Sequence, residues 1–313
     1  MNTIHEAAAA FLFHCKFEKK LSPKTTKAYD SDCRQFTQFL SKLKHSGKLN
    51  EIDKHTIKAY LEHLHGMRPK TLRRKIATLK AMFNFLEYEE EILTTPFRKM
   101  KISIREPRML PRVMTLTEVQ QILSYAQKKV QTSISGPTSS SYREALRNQA
   151  VLELLFATGM RVSEATQLQR SEIDLRSGIV RIMGKGSRQR VIQICHTQVL
   201  QVLTTYQKTW HKTLSRRTHF FLSRRQTPLS EQSIRNMIKH YAQKCGIKKH
   251  ITPHTFRHSF ATLLLEQDVD IKYIQQFLGH SSINTTQIYT HVNAEKQKAI
   301  LKTRHPRLAF EVG

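Results

Sequence analysis

The stretch AVLELLFATGMRVSEATQL, residues 150–168, decides how the second half of the chain is read. It starts as a hydrophobic helix and breaks at Gly159, where glycine permits a tight turn. It resumes as a second helical run after Arg161. Arg161 stands out, because a guanidinium in a segment that is otherwise almost entirely apolar needs an anionic partner nearby.

Working outward, helical spacing covers about 115–129, 143–157 and 162–169, and Thr115 with Glu118 forms a capping-box pattern at the first of these. IVRIM (179–183) and RVIQI (190–194) read as two strands joined by Gly184-Lys185-Gly186-Ser187. Residues 219–222 read as a candidate third strand. Further helices are expected near 197–210, 230–245 with Gly246 as a stop, 253–266, 270–278 and 283–289, followed by a tail helix from 293. TSISGPTSSS (132–141) reads as a surface loop within this half.

The first hundred residues read as helices alone. Ser22-Pro23 supplies an N-cap and an N1 proline, and Tyr29, Cys33, Phe36, Leu40 and Leu43 then recur at spacings of 4, 3, 4 and 3. Pro69 opens another helix with Leu72, Ile76, Leu79, Phe83 and Leu86 on one face. Segments around 7–17 and 56–64 complete a predicted four-helix bundle. Periodicity lapses where Pro96, Pro107 and Pro111 fall among basic residues. The expected division is therefore a helical domain over 1–98, a linker over 99–114 and a second domain over 115–313. The fold class is mainly α, with a small antiparallel β-sheet in an α+β second domain.

Composition points to a polyanionic partner. Of 313 residues, 52 are Lys or Arg and 24 are Asp or Glu, a net charge of +28 with histidine neutral. The excess is shared, with 22 basic against 12 acidic residues in 1–110 and 30 against 12 in 111–313. Self-repulsion on this scale is most simply explained by a partner that neutralises it, and nucleic acid leads over an anionic membrane or an acidic protein. Lys24, Lys27, Lys70, Arg73, Arg74 and Lys80 lie at helical positions that could reach DNA phosphates. No apolar run approaches the roughly 20 residues of a membrane span, and residues 1–20 lack the basic start and cleavage pattern of a signal peptide. The four cysteines, Cys15, Cys33, Cys195 and Cys245, are widely spaced without a CxxC pair, which fits a reducing compartment.

Three catalytic readings fail on spacing. Five residues, not four, lie between Gly178 and Gly184, and Gly186, not Ser or Thr, follows Lys185, so this is no Walker A loop. His254 and His258 have zinc-ligand spacing but no HExxH glutamate or acidic third ligand beside them. The carboxylates are too few and scattered for a two-metal nuclease. What remains is a set of cationic and proton-transfer groups: Arg161, Lys185, His254, Arg257, His280 and Tyr289. His254 and Arg257, three apart, can share one helical face.

ATGMRVSEATQL (157–168), MGKGSRQRVIQI (183–194) and TPHTFRHSFATLLLEQDVDIKYIQQFLGHSSINTTQIYTHV (252–292), in this order and spacing, resemble the tyrosine recombinases, or lambda-integrase family, and most of all its Xer-type and bacterial integrase members. The likeness extends over nearly the whole chain, with the first hundred residues similar in shape to a SAM-like core-binding domain. The loop at 132–141 is longer than in typical Xer-type members.

The resemblance implies that Tyr289 attacks the scissile phosphate to give a 3′-phosphotyrosyl enzyme and a free 5′-hydroxyl. Arg161 and Arg257 would grip the non-bridging oxygens, since each planar guanidinium can donate two parallel bonds. His254 would assist proton transfer from Tyr289, whose phenol is a poor nucleophile near neutral pH. His280 would donate to the phosphate, Lys185 would protonate the leaving 5′-oxygen, and Glu164 would orient an arginine. Arg188 is a further candidate DNA contact. No cofactor and no metal are implied, because the phosphotyrosyl bond conserves the energy for resealing. The implied partners are duplex DNA carrying inverted-repeat sites and three further protomers, of this chain or of a second recombinase, engaged through the tail helix at 294–301. The implied location is the bacterial cytoplasm, at the nucleoid. A type IB topoisomerase and a catalytically inactive DNA-binding regulator are the competing readings.

Overall fold

The computed structural model describes residues 1–104, 113–133, 136, 139–184, 189–279 and 294–311, in two compact units, Met1–Met109 and Leu110–Gly313. Lys185, Arg188, His280, Tyr289 and the helix expected at 283–289 lie outside the described residues.

The first unit is built from α1 (Ile4–Phe13), α2 (Pro23–Lys42), α3 (Lys54–His63) and α4 (Pro69–Tyr88). Thr3 and Glu6 cap α1 reciprocally, and α1 runs on into a wider turn in which the Lys19 amide reaches back five residues to the His14 carbonyl at 2.9 Å. Ser22 caps α2 through the Thr25 amide, with Pro23 as its first residue. The apolar faces meet in a core that includes Phe11, Cys33, Phe36, Leu40, Ile57, Tyr60, Leu79 and Phe83. A buried polar cluster lies beside them: Asp32, fully enclosed, accepts from Arg74, from the buried Lys75 at 3.3 Å and from the buried Thr78 at 3.0 Å.

The second unit surrounds α6 (Ser140–Thr158), from Ala145 onward buried at nearly every position, as expected of a helix apolar around most of its circumference. It packs against α5 (Leu116–Gln131), α8 (Thr197–Thr209) and α11 (Pro253–Leu265). α7 (Val162–Gln167) follows α6 after a three-residue break. A three-stranded antiparallel sheet is ordered β1 (Ile173–Asp174), β2 (Ile179–Met183), β3 (Gln189–Gln193). Val180 lies opposite Ile192, and Ile182 opposite Arg190. α9 (His211–Leu214), α10 (Glu231–Lys244), α12 (Ile271–Leu278) and α13 (Ala294–Arg304) complete the unit.

The third strand is not where the sequence suggested. Residues 219–222 make only isolated bridges, Gln169 with His219 and Leu222 with Pro228. Phe220, Phe221 and Leu222 are all buried, so the run has no solvent-facing alternation and plugs the core instead. The sheet takes its third strand from Ile173–Asp174, folded back by Asp174, which accepts from the Arg176 amide at 3.0 Å, and by Gly178 at φ +71°.

The described part of α13 packs against β3 of its own chain, with Leu301 buried. The segment after it is anchored more firmly. Arg307, 1% exposed, donates to Glu153 on α6 at 3.2 and 3.3 Å, to Gln198 at 2.8 Å and to the Phe310 carbonyl at 2.7 Å.

Candidate active site

The break at residues 159–161 positions Arg161 by combining a helix stop with a helix start. Gly159 ends α6 in the left-handed conformation (φ +59°), with its amide bonded to the Leu155 carbonyl at 3.0 Å. A Cβ there would lie 2.5 Å from Phe260 Cδ1, so both the backbone and the packing demand glycine. Arg161 is then the N-cap of α7, and Glu164, at N3, turns back to accept its amide at 2.7 Å. Glu164 also accepts the Arg161 guanidinium, Nη1 to Oε1 at 2.8 Å. The anionic partner that Arg161 requires is therefore three residues away.

α11 starts at Thr252-Pro253, an N-cap followed by an N1 proline, and carries His254 in its first turn and Arg257 one turn further on. Arg257 is 6% exposed and spans two helix ends, donating to the Gly159 carbonyl at 2.8 Å and the Leu278 carbonyl at 2.6 Å. α12 ends on Gly279, again left-handed at φ +62°, whose carbonyl accepts from Arg161 Nη2 at 3.4 Å. The carbonyl-bearing ends of α6 and α12 thus face the two arginines, satisfying acceptors that helix geometry leaves unpaired.

The electrostatics are those of a positive cluster. Burial, then the Arg161 charge, lowers the Arg257 pKa to about 10, which leaves it a cation at neutral pH. Desolvation of part of its ring, then the charges of His258, Arg257, Arg235 and Arg161, push the His254 pKa below its ordinary value. A neutral imidazole able to accept a proton is the result. Burial alone raises the Glu164 carboxyl, but the hydrogen bonds and charge of Arg190, then those of Arg161, outweigh it and hold the group below the usual carboxylate range.

The structure therefore brings together Arg161, Glu164, His254 and Arg257. It adds Arg190, which sequence reasoning missed in favour of Arg188. The signal was present in the strand period: Arg190 and Ile192 lie on the inward face of β3 and Ile194, just after it, continues the alternation, while Val191 faces out. In the first unit, Lys24, Lys27 and Lys70 are exposed. Arg73 donates to the Ile104 carbonyl at 2.6 Å, Arg74 to Asp32, and Lys80 lies over the Phe97 ring at 5.8 Å.

Residues 112–296 match the model of the phage integrase family, and residues 8–90 match that of the phage integrase N-terminal SAM-like domain. A tyrosine recombinase of Agathobacter rectalis is 44% identical over 311 residues, 99% of each chain. Tyrosine recombinase XerD of Halalkalibacterium halodurans is 35% identical over 311 residues, 98% of this chain and 100% of that one. Among solved structures, XerH site-specific recombinase bound to palindromic difH substrate in a post-cleavage complex has a TM-score of 0.70 at 21% identity, covering 93% of this chain and 83% of that one. A lambda integrase tetramer bound to a Holliday junction has a TM-score of 0.65 at 19% identity, covering 93% and 80%. These two share the fold. With family models over most of the chain and relatives similar from end to end, this chain belongs to the phage integrase family of tyrosine recombinases, the site-specific DNA recombinases.

Proposed function

We propose that the chain cuts and rejoins duplex DNA by transesterification, with Tyr289 as nucleophile. The Tyr289 oxygen attacks the scissile phosphorus and the bond to the 5′-oxygen breaks. His254 receives the phenolic proton, and Lys185 donates a proton to the departing 5′-oxygen. Arg161, Arg257 and His280 stabilise the charge on the non-bridging oxygens. Reversal of these steps with a 5′-hydroxyl from a second site seals the exchanged strand. The observation that carries the reading is the pairing of Arg161 and Arg257 at the ends of α6 and α12, two cations oriented by carbonyls and by Glu164. A neutral His254 on the same helix as Arg257 supports the proton-transfer role.

Both basic units, divided by a linker over 99–114, engage the duplex, the exposed Lys24, Lys27 and Lys70 on phosphates with Arg188 beside the chemistry. The working assembly is four protomers on two inverted-repeat sites, of this chain or with a second recombinase, with residues 294–301 docked on a neighbour. The Holliday-junction tetramer of lambda integrase supports that stoichiometry. The bacterial relatives support action at the nucleoid.

The test begins by mapping the sites the protein binds and cleaves across its host genome, then places two copies on a supercoiled plasmid. Exchange products formed in EDTA without ATP are expected. Relaxation without exchange identifies the topoisomerase reading instead, and binding without cleavage the regulator.

A further inference from the structure

Arg190 is an arginine on the core-facing side of a small sheet, its side chain only 12% exposed, and its hydrogen bonds among the described residues lead to the candidate active site. Nη1 and Nη2 donate in parallel to Glu164 Oε1 at 2.9 Å and Oε2 at 2.7 Å, a bidentate pair. Nε donates to the Phe277 carbonyl at 2.9 Å, one residue before the carbonyl that holds Arg257 and two before the one that meets Arg161. Gly279 lies against the same guanidinium: a Cβ there would fall 3.1 Å from both Cδ and Nη1 of Arg190.

We propose that Arg190 is a positioning residue for strand cleavage, holding Glu164 so that this carboxylate orients Arg161 without cancelling its charge, and tying β3 to the end of α12. The inference rests on the reading of Arg161 as a phosphate-binding residue. Glu164, with its side chain 6% exposed, takes four N–H donors on two oxygens, two from Arg161 and two from Arg190. A Glu164–Arg161 pair alone would be neutral, and an incoming phosphate would compete with a full negative charge for the guanidinium. With Arg190 as the second partner the group carries a net +1. The Arg161 side chain, 34% exposed, is then both aimed and available. The bonds from Arg190 and Arg257 to adjacent α12 carbonyls also set the end of that helix relative to the sheet.

Lysine keeps the charge of Arg190 but lacks the planar fork, so it cannot serve both Glu164 oxygens and the Phe277 carbonyl together. Single-turnover cleavage of a nicked suicide duplex at saturating protein should therefore fall on the order of 100-fold in Arg190→Lys, as for a misplacement of about 1 Å, with DNA affinity unchanged. The acid limb of the cleavage–pH profile should also move to higher pH. The charged groups facing Glu164 are Arg161 beside it, Arg190 from β3 and Arg257 from α11. Losing the Arg190 fork weakens what opposes burial, so the carboxylate takes up its proton, and releases Arg161, at a higher pH than in the parent protein. A role confined to folding would lower the melting temperature and leave that limb in place.

Gly279→Ala presses on the Arg190 guanidinium by a few tenths of an ångström without removing it, and at φ +62° it also strains the backbone whose carbonyl meets Arg161; the limb should shift in the same direction by less, with a lower melting temperature. It serves if Arg190→Lys does not fold. Cleavage at the parental rate with an unmoved acid limb in the folded variant, alongside an inactive Arg161→Ala, would overturn the role of Arg190 alone. Parental cleavage by Arg161→Ala would instead overturn the reading on which it rests.

Discussion

Arg161 and Arg257 donate to the carbonyl oxygens of consecutive residues, Gly279 at 3.4 Å and Leu278 at 2.6 Å. One helix end thus orients both cations before any phosphate arrives. Two guanidiniums brought together repel, and the carbonyl dipoles with Glu164 offset that repulsion. In the proposed reaction a phosphate between them would supply counter-charge, and its bonds to both guanidiniums would strengthen as negative charge develops.

Arg257→Ala removes a donor that spans two helices. Loss of one such transition-state donor should slow cleavage by about 10²–10³-fold. The carbonyls of Gly159 and Leu278 lose this donor together, and each buried acceptor left unsatisfied costs about 1–3 kcal/mol. Single-turnover cleavage and denaturant unfolding of the same preparation separate the two effects. Wild-type cleavage by a destabilised variant would confine Arg257 to structure.

Gly159→Ala tests the turn that delivers Arg161. The new methyl meets Phe260 at 2.5 Å on a residue at φ +59°. Strained backbone of this kind costs on the order of 1–3 kcal/mol, and displacement of the Gly159 carbonyl also disturbs Arg257. A lower unfolding midpoint together with slower cleavage is expected. Unchanged cleavage would show that the site tolerates movement of this turn.

The Glu153–Arg307 pair joins α6 to the segment after α13 with both side chains 1% exposed. Arg307→Met alone should destabilise the chain by about 3–5 kcal/mol, because it leaves a buried carboxylate without its partner. Glu153→Leu combined with Arg307→Met should recover most of that loss, since no charge then remains buried. Urea titrations of the two variants against the parent check this. Equal losses in the single and double variants would contradict it.

His305 makes stability depend on pH. Its Nε2 donates to the Ala157 carbonyl at 3.1 Å and its Nδ1 accepts the Arg307 amide at 2.9 Å, so the ring is held neutral. Burial, against the weaker opposing effect of the Ala157 bond, lowers its pKa to about 4. A histidine whose folded pKa is depressed contributes stability that is present above its unfolded value near 6.5. That contribution is lost as pH falls from there toward 4, in total about 3 kcal/mol. The difference in unfolding free energy between the parent and His305→Gln should follow this window. A pH-independent difference would contradict the assignment.

The helices were legible because their signals are local. The Tyr29, Cys33, Phe36 and Leu40 face of α2, the Ser22-Pro23 start and the Thr115–Glu118 box each depend on residues within a few turns, whereas Leu43, expected on that face, follows α2 as its C-cap and is exposed. Arg161 could be singled out because a charge in an apolar run is an anomaly whatever surrounds it. Arg190 could not be weighed the same way, since its significance arises only when β3 meets the end of α12, 87 residues further along the chain. Arg73 and Arg74 show the converse. Their position on a polar helix face suggests contacts with DNA, and both are exposed; what the sequence does not show is that their guanidiniums also bind the Ile104 carbonyl and Asp32, partners that folding brings to them. Residues 219–222 looked like a strand because β-rich composition does not distinguish a strand from a buried plug.

The central claim is that the chain forms a covalent bond to DNA through Tyr289 and needs no divalent metal to do so. The most direct test incubates purified protein with a nicked suicide duplex carrying its mapped site, in EDTA, and resolves protein–DNA adducts on a denaturing gel. The account predicts a 3′-linked adduct for the parent protein and none for Tyr289→Phe. An adduct formed by Tyr289→Phe, or a strict requirement for a divalent metal, would contradict it.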